Sequence, residues 1–287
     1  PPIESNSGRL DLALWMLHPE HPLTARVIVN RVWQGHFGVG LVNTPSDFGT
    51  RGGKPTHPEL LDWLARWFIQ DGWSLKRLHR LILTSETWQQ SSQHRPDMAQ
   101  LDPDNTLLWR SHRRRYEAEA IRDAILTVSD GIDPTMGGSL LDTNNFAYVN
   151  NDQSASNESY EDRRRAIYLP VIRNDMYELY SIFDYPDASV SFGKRPSTVV
   201  SSQALFFLNA PLVLEEAERL AEVLQSSSID DALMELWNRA YARSPRAEER
   251  QRAYHLLRTL DVDNSALSAW TGLIQSVFAS SEFIYLD

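Results

Sequence analysis

Three residues have the chemistry for acid–base work: Asp47, His57 and Asp184. Eight more can bind a ligand: Arg26, Asn30, Trp33, Arg115, Arg173, Arg195, Gln203 and Asn209. Arg26, Asn30 and Trp33 recur at i, i+4 and i+7, one stripe of a helix. A guanidinium, an amide and an indole in line can hold a polar ligand with a flat apolar face, such as a sugar. Arg26 and Asn30 can equally satisfy carbonyls of the glycine-rich segment that follows. Asp47, between Pro45 and Gly49, is a natural turn residue, and can also present a carboxylate to a cleft. His57 opens a helix, where an imidazole serves as an acid–base group or fixes the loop before it. His18-Pro19-Glu20-His21 has two metal-type ligands but no third, so no metal site is expected.

The run Arg113-Arg114-Arg115-Tyr116-Glu117-Ala118-Glu119-Ala120-Ile121-Arg122-Asp123 reads as a helix with interleaved charge. Arg115–Glu119 and Glu119–Arg122 have the spacing of ordinary surface pairs. Three arginines at a helix start oppose the dipole, so at least one is expected to face a carboxylate or a ligand. Arg173, Asp184, Arg195, Gln203 and Asn209 lie among apolar residues, and buried amides there need partners. Phe183-Asp184-Tyr185-Pro186 reads as a tight turn. The chain has no Gly-x-Ser-x-Gly elbow, no Ser-x-x-Lys pair, no His-Glu-x-x-His and no phosphate loop.

The composition narrows the chemistry further. The 287 residues hold 38 acidic and 28 basic groups, a formal net charge of −10, and no cysteine. Thiol nucleophiles, disulfides and Cys-ligated zinc or iron–sulfur sites are therefore excluded within this chain. The acidic balance argues against nucleic-acid binding, which needs a basic face. No apolar run approaches the ~20 residues of a spanning helix. Seven of eight histidines and seven of nine tryptophans fall in residues 1–112, and 25 of the 28 basic residues are arginine. Guanidinium groups suit carboxylate, sulfate or phosphate.

The elements that must position these residues are nearly all helical. Apolar periodicity and start signals predict helices over 9–18, 22–33, from 57 onward, after Ser74, and over 116–128, 199–208, 211–225, 230–242, 245–258 and 265–279. On the second of these, Ala25, Ile28, Val29 and Val32 are the expected core face. Thr56-His57-Pro58-Glu59 fits a capping box with Thr56 as N-cap. Six of 13 glycines fall between Gly35 and Gly53 and mark a loop. Residues 131–165, rich in Gly, Asn, Asp and Ser, read as a long loop. Residues 165–171 are the one strand candidate, with Pro170 limiting it to an edge or bulge.

These motifs together resemble a family. Leu23-Thr24-Ala25-Arg26-Val27-Ile28-Val29-Asn30-Arg31-Val32-Trp33 carries the resemblance, with Phe37-Gly38-Val39-Gly40-Leu41-Val42 and Thr44-Pro45-Ser46-Asp47-Phe48-Gly49. So do His57-Pro58-Glu59-Leu60-Leu61-Asp62-Trp63-Leu64, Gly72-Trp73-Ser74-Leu75-Lys76-Arg77-Leu78, Phe183-Asp184-Tyr185-Pro186, Gln203-Ala204-Leu205 and Ser281-Glu282-Phe283-Ile284-Tyr285-Leu286-Asp287. The sequence is similar to the planctomycete-specific, cytochrome-associated C-terminal domain of unknown function 1553. His21 departs from that family, which usually has Asn there. The resemblance implies an extracytoplasmic location and preceding domains in the same polypeptide, one of them c-type cytochrome-like. Any haem would belong to that preceding domain, so no cofactor is expected in this chain.

The expected architecture is mainly α: one irregular multi-helix domain over 1–287, cut from a longer multidomain protein, with long loops and at most a small β element. Residues 35–58 would form one wall of a cleft, and 113–123 with 173–209 the others. Three functions follow as expectations. The first is a ligand-recognition or scaffolding domain of an exported protein, binding a polar or anionic saccharide. The second is a glycan-directed hydrolase using Asp47, His57 and Asp184. The third is a structural partner of a cytochrome c-like domain, which predicts an exposed apolar patch.

Overall fold

The computed structural model describes residues 7–138, 140, 160–171, 176–187, 190–260 and 266–286. Among these it is mainly α, with 13 helices and a single two-stranded ladder. The chain divides into two compact units. The first holds the described residues up to Arg114 together with Phe192–Lys194; the second holds those of Arg115–Ser191 and Arg195–Leu286.

The first unit is built from α1 (Arg9–Met16), α2 (Thr24–Phe37), α3 (Pro58–Gln70), α4 (Leu75–Leu83) and α5 (Pro96–Leu101). Its core joins Val29, Trp33 and Phe37 of α2 to Leu61, Leu64 and Phe68 of α3 and Leu78 and Ile82 of α4. The buried face of α2 thus differs from the expected one. Ala25, Val29, Asn30, Trp33 and Phe37 are buried, whereas Ile28 and Val32 are half-buried. The indole of Trp33, stacked on Phe37 with centroids 4.1 Å apart, turns that side of the helix inward. Ser74 caps α4 as predicted, its hydroxyl accepting from Arg77 N–H. Thr56 does not cap α3. His57 holds the N-cap position with no side-chain cap bond, and Pro58 occupies the first turn, where its missing N–H costs nothing.

In the second unit, β1 (Arg114–Arg115), which begins at the last residue of the first unit, leads into α6 (Ala118–Val128). After these come a 3-10 turn at Ala166–Tyr168, α7 (Glu178–Ile182), α8 (Ser201–Asn209), α9 (Pro211–Leu224), α10 (Ile229–Tyr241), α11 (Ala247–Leu260), α12 (Ala266–Phe278), α13 (Ser281–Ile284) and β2 (Tyr285–Leu286). The strand expected over 165–171 is thus largely that 3-10 turn, and the ladder instead pairs β1 with β2. Both strands are two residues long, too short for an alternating pattern to register. Helix α9 packs on α12: Val213, Ala217, Leu220 and Ala221 meet a face carrying Leu273, Ile274, Val277 and Phe278.

Two charged groups sit inside this apolar core. Glu216 of α9 is fully buried. It accepts from the Ser129 hydroxyl at 2.6 Å and from the Arg163 guanidinium, with Arg219 Nε 3.4 Å away. Arg122 of α6 is also fully buried and donates to Arg164 O and Asp162 O. Its carboxylate neighbour is Asp123, at 3.6 Å.

Gly131 shows how tightly the Glu216 site is closed. A Cβ there would stand 2.3 Å from Glu216 Oε2 and 2.5 Å from Arg163 Nη1. Gly131→Ala is therefore expected to displace a buried ion pair and lower unfolding free energy by about 1–3 kcal/mol. Gly35→Ala, in α2 with nothing within 4 Å of the new methyl, is the control and should not destabilise. Urea denaturation of both variants measures the difference.

Candidate functional site

The residues singled out for chemistry fall in both units. Arg26, Asn30, Trp33, Asp47 and His57 belong to the first; Asp184, Arg195, Arg115, Gln203 and Asn209 belong to the second. Arg173 lies outside the described residues.

In the first unit, Asn30 is the pivot. It is fully buried on α2 and bonds both backbone groups of one residue: Nδ2 donates to Val42 O at 3.0 Å, and Oδ1 accepts from Val42 N–H at 2.8 Å. This double bond pins the glycine-rich segment to the helix, and Leu41 and Val42 are buried beneath it. The predicted stripe is therefore not a surface. Asn30 faces its own loop and Trp33 faces the core, because a buried amide must satisfy both its donor and its acceptor. Arg26 alone of the three is half-exposed, and it is engaged by Asp62 Oδ1 at 2.7 Å and by Pro22 O.

Asp47 is exposed and in the turn role. Its Oδ1 accepts from Gly49 N–H at 2.9 Å, while Asp47 N–H and O bond Thr44 O and Oγ1. His57 is half-buried, and its Nδ1 lies 3.0 Å from Thr56 Oγ1. His21 Nδ1 accepts from Leu23 and Thr24 N–H at 3.3 and 3.1 Å. It thus serves as a capping acceptor for α2, whose N-cap Leu23 has no side-chain acceptor.

The densest polar cluster is in the second unit. Asp184 sits in a left-handed backbone conformation (φ 61°) directly after α7. Oδ2 accepts from Arg115 Nη2 at 2.6 Å and from Thr198 N–H at 2.8 Å; Oδ1 accepts from the Thr198 hydroxyl at 2.8 Å. Arg115, its side chain only 4% exposed, also donates to Phe183 O and Thr198 O. Gln203 of α8, buried, donates through Nε2 to Ile182 O and Thr198 O, both at 3.1 Å. Burial raises the Asp184 pKa, but the bonds from Thr198 and Arg115 outweigh it and hold the carboxyl below its ordinary value.

A second arginine braces the same turn. Arg195 forms a bidentate pair with Glu119 of α6 at 2.7 and 2.9 Å, reaches Glu117 at 3.3 Å, and stacks over Tyr185 at 5.0 Å. Burial works against its charge, and the two carboxylates more than compensate, so its pKa is raised. The helix-surface pairs expected from spacing do not form: Arg115 faces Asp184, Glu119 faces Arg195, and Arg122 is buried. Asn209 is exposed at the end of α8 and bonds Leu205 O, one turn back; it was expected to be buried.

Glu119, Thr198, Arg122, Ser129 and Glu216 complete these networks, and none was singled out from the sequence. Two of them did carry a signal. Glu216 stands at i+3 from Val213 and i−4 from Leu220, on the apolar stripe of α9; Arg122 stands at i+4 from Ala118 on that of α6. A charge on the inward stripe of an amphipathic helix marks a buried polar site.

Every charged side chain in the Asp184 cluster has its partner within the unit. What the arrangement can do is fix the turn at Phe183–Tyr185 and the stretch from Thr198 to Gln203 to the start of α6. A family model described as PSD1, protein of unknown function (DUF1553), matches residues 8–257. No curated protein and no solved structure matches the chain.

Asn30→Leu would leave both backbone groups of buried Val42 unpaired, and is expected to cost about 2–4 kcal/mol in denaturant unfolding. Asp184 makes a pH-dependent contribution. Its folded pKa is depressed, so that stability is present above the ordinary carboxylate value and is lost as pH falls through the folded one. Asp184→Asn should therefore be less stable than the parent at pH 7, with the difference narrowing by pH 3, as read by thermal melts at each pH.

Proposed function

The chain belongs to the PSD1 family of unknown function (DUF1553), and from that premise we propose that it is a non-catalytic recognition and scaffolding domain of an exported multidomain protein. In this reading α1 packs against the region that precedes it in the same polypeptide. The observation that carries it is α1 itself. Six of its eight residues are apolar, yet it buries none: Leu10 is 62% exposed and Leu14 60%, Leu12, Trp15 and Met16 are also exposed, and so is Leu17 at its C-cap, 63%. A helix this apolar is normally a covered one, and a contiguous exposed apolar surface marks an interaction site.

The polar residues support the same reading. Asn30, Arg115, Asp184, Arg195 and Gln203 are committed to internal bonds that shape loops. A saccharide site would need Arg26, Asn30 and Trp33 presented together, and a hydrolase would need Asp184 released from Arg115 and Thr198. The exported location rests on the family resemblance, as does the cytochrome-like character of the preceding region. Among the described residues, no helix is long and apolar enough to cross a membrane.

Hydrogen exchange of α1 tests the proposal, with the chain produced alone and with its preceding region attached. Alone, α1 amides should exchange nearly unprotected. With the preceding region they should be protected at least about tenfold more, and Leu10→Asp with Leu14→Asp should abolish the gain. Equal exchange in the two forms would overturn the docking role. Binding of sulfated or neutral glycans that shifts residues around Arg26 and leaves α1 unchanged would favour saccharide recognition instead.

A further inference from the structure

A pair of histidines joins two helices of the first unit and takes no part in the networks described above. His36 lies in the last turn of α2, half-buried; His79 lies on α4, exposed, next to fully buried Leu78. His36 Nε2 and His79 Nδ1 are 2.7 Å apart, with ring centroids separated by 4.9 Å and planes at 75°. At that distance one nitrogen donates and the other accepts, so the contact holds a single proton.

We propose that His36 and His79 form an acid-released clasp that holds α4 on α2. While at least one ring is neutral, one imidazole donates to the other; once both are protonated, two N–H groups meet head to head and like charges stand at contact distance. Arg114 is the arginine that acts on His36. Its Nη1 donates to Gly35 O at 2.7 Å, and its side chain lies along Gly38, where a Cβ would meet Arg114 Cδ at 2.7 Å. Neither histidine forms an ion pair with a carboxylate among those of the described residues.

The charge balance gives the direction. The C-terminal position of His36 on α2 favours a cation. Burial, His79 and Arg114 act in the opposite sense, in that order of size, and hold its pKa below the ordinary histidine value. The folded chain therefore protonates His36 less readily than the unfolded chain does. The clasp contributes its stability above pH ~6.5 and loses it as pH falls through the folded value. The helices it joins share the core of Trp33, Phe37, Leu78 and Ile82, so release loosens α4 at that seam.

Amide exchange across pH, expressed as protection factors, tests the clasp, with α3 as the internal reference. Between pH 7.5 and 5.0, α4 protection relative to α3 should fall about threefold to tenfold in the parent chain, and fall less in His79→Gln, where His36 still titrates but no second imidazolium can form beside it. A parallel course of α3 and α4 in the parent, or an equal fall in His79→Gln, would overturn the proposal. Should that variant not fold, NMR titration of the parent decides. The His36 Hε1 resonance should report two protonation steps; a single-step curve would refute the coupling.

Discussion

A carboxylate cannot remain charged in an apolar interior unless the fold brings its partners to it, and Glu216 imposes that requirement on the second unit. It sits on α9, among the residues that pack on α12, with none of its side chain exposed. The end of α6 supplies Ser129, the following turn comes close enough that position 131 has no room for a side chain, and Arg163 returns from the far side of the loop. The ion pair is not itself a measure of stability, since an apolar replacement of the same volume can match it. Its role is selective: the fold must bring both Ser129 and Arg163 to one carboxylate.

The same logic operates on a smaller scale elsewhere. Asn30 ties a loop to α2 by reading both backbone groups of Val42, and Arg115 ties a turn to α6 by filling the carbonyls of Phe183 and Thr198 as well as the carboxylate of Asp184. In each case an irregular segment is fixed by a polar side chain on a helix or strand. This explains how a chain with so little sheet keeps defined loops: the backbone groups that a ladder would satisfy are satisfied by side chains.

The helices were legible because they depend on local periodicity. α3, α4, α6 and α9 to α12 follow from apolar residues at three- and four-residue spacing, and Ser74 was recognisable as a cap. What local pattern hides is which face turns inward. Trp33 and Asn30 read as a binding stripe because indole and amide are versatile groups, but the core claimed both. Glu216 and Arg122 stand on apolar stripes; the spacing of Arg122 from Glu119 suggests a surface pair, and a lone charge on a helix is usually solvated. Arg115–Asp184 and Arg195–Glu119 join residues about 70 positions apart, and no spacing rule reaches that far. The 3-10 turn at Ala166–Tyr168 passed for a strand because Ile, Tyr, Leu and Val suit either, and periodicity cannot separate them over seven residues.

The backbone of Asp184 has a consequence for the sequences this fold can accept. Position 184 must adopt φ near +61° and also present a carboxylate to Arg115 and Thr198. Glycine and asparagine meet the first demand and lack the charge; glutamate has the charge but lacks aspartate's tolerance of that conformation. Aspartate alone meets both, so the position has almost no neutral neighbours in sequence space. A drift in either requirement would have to be accompanied by a change at Arg115, which couples the two sites as a pair.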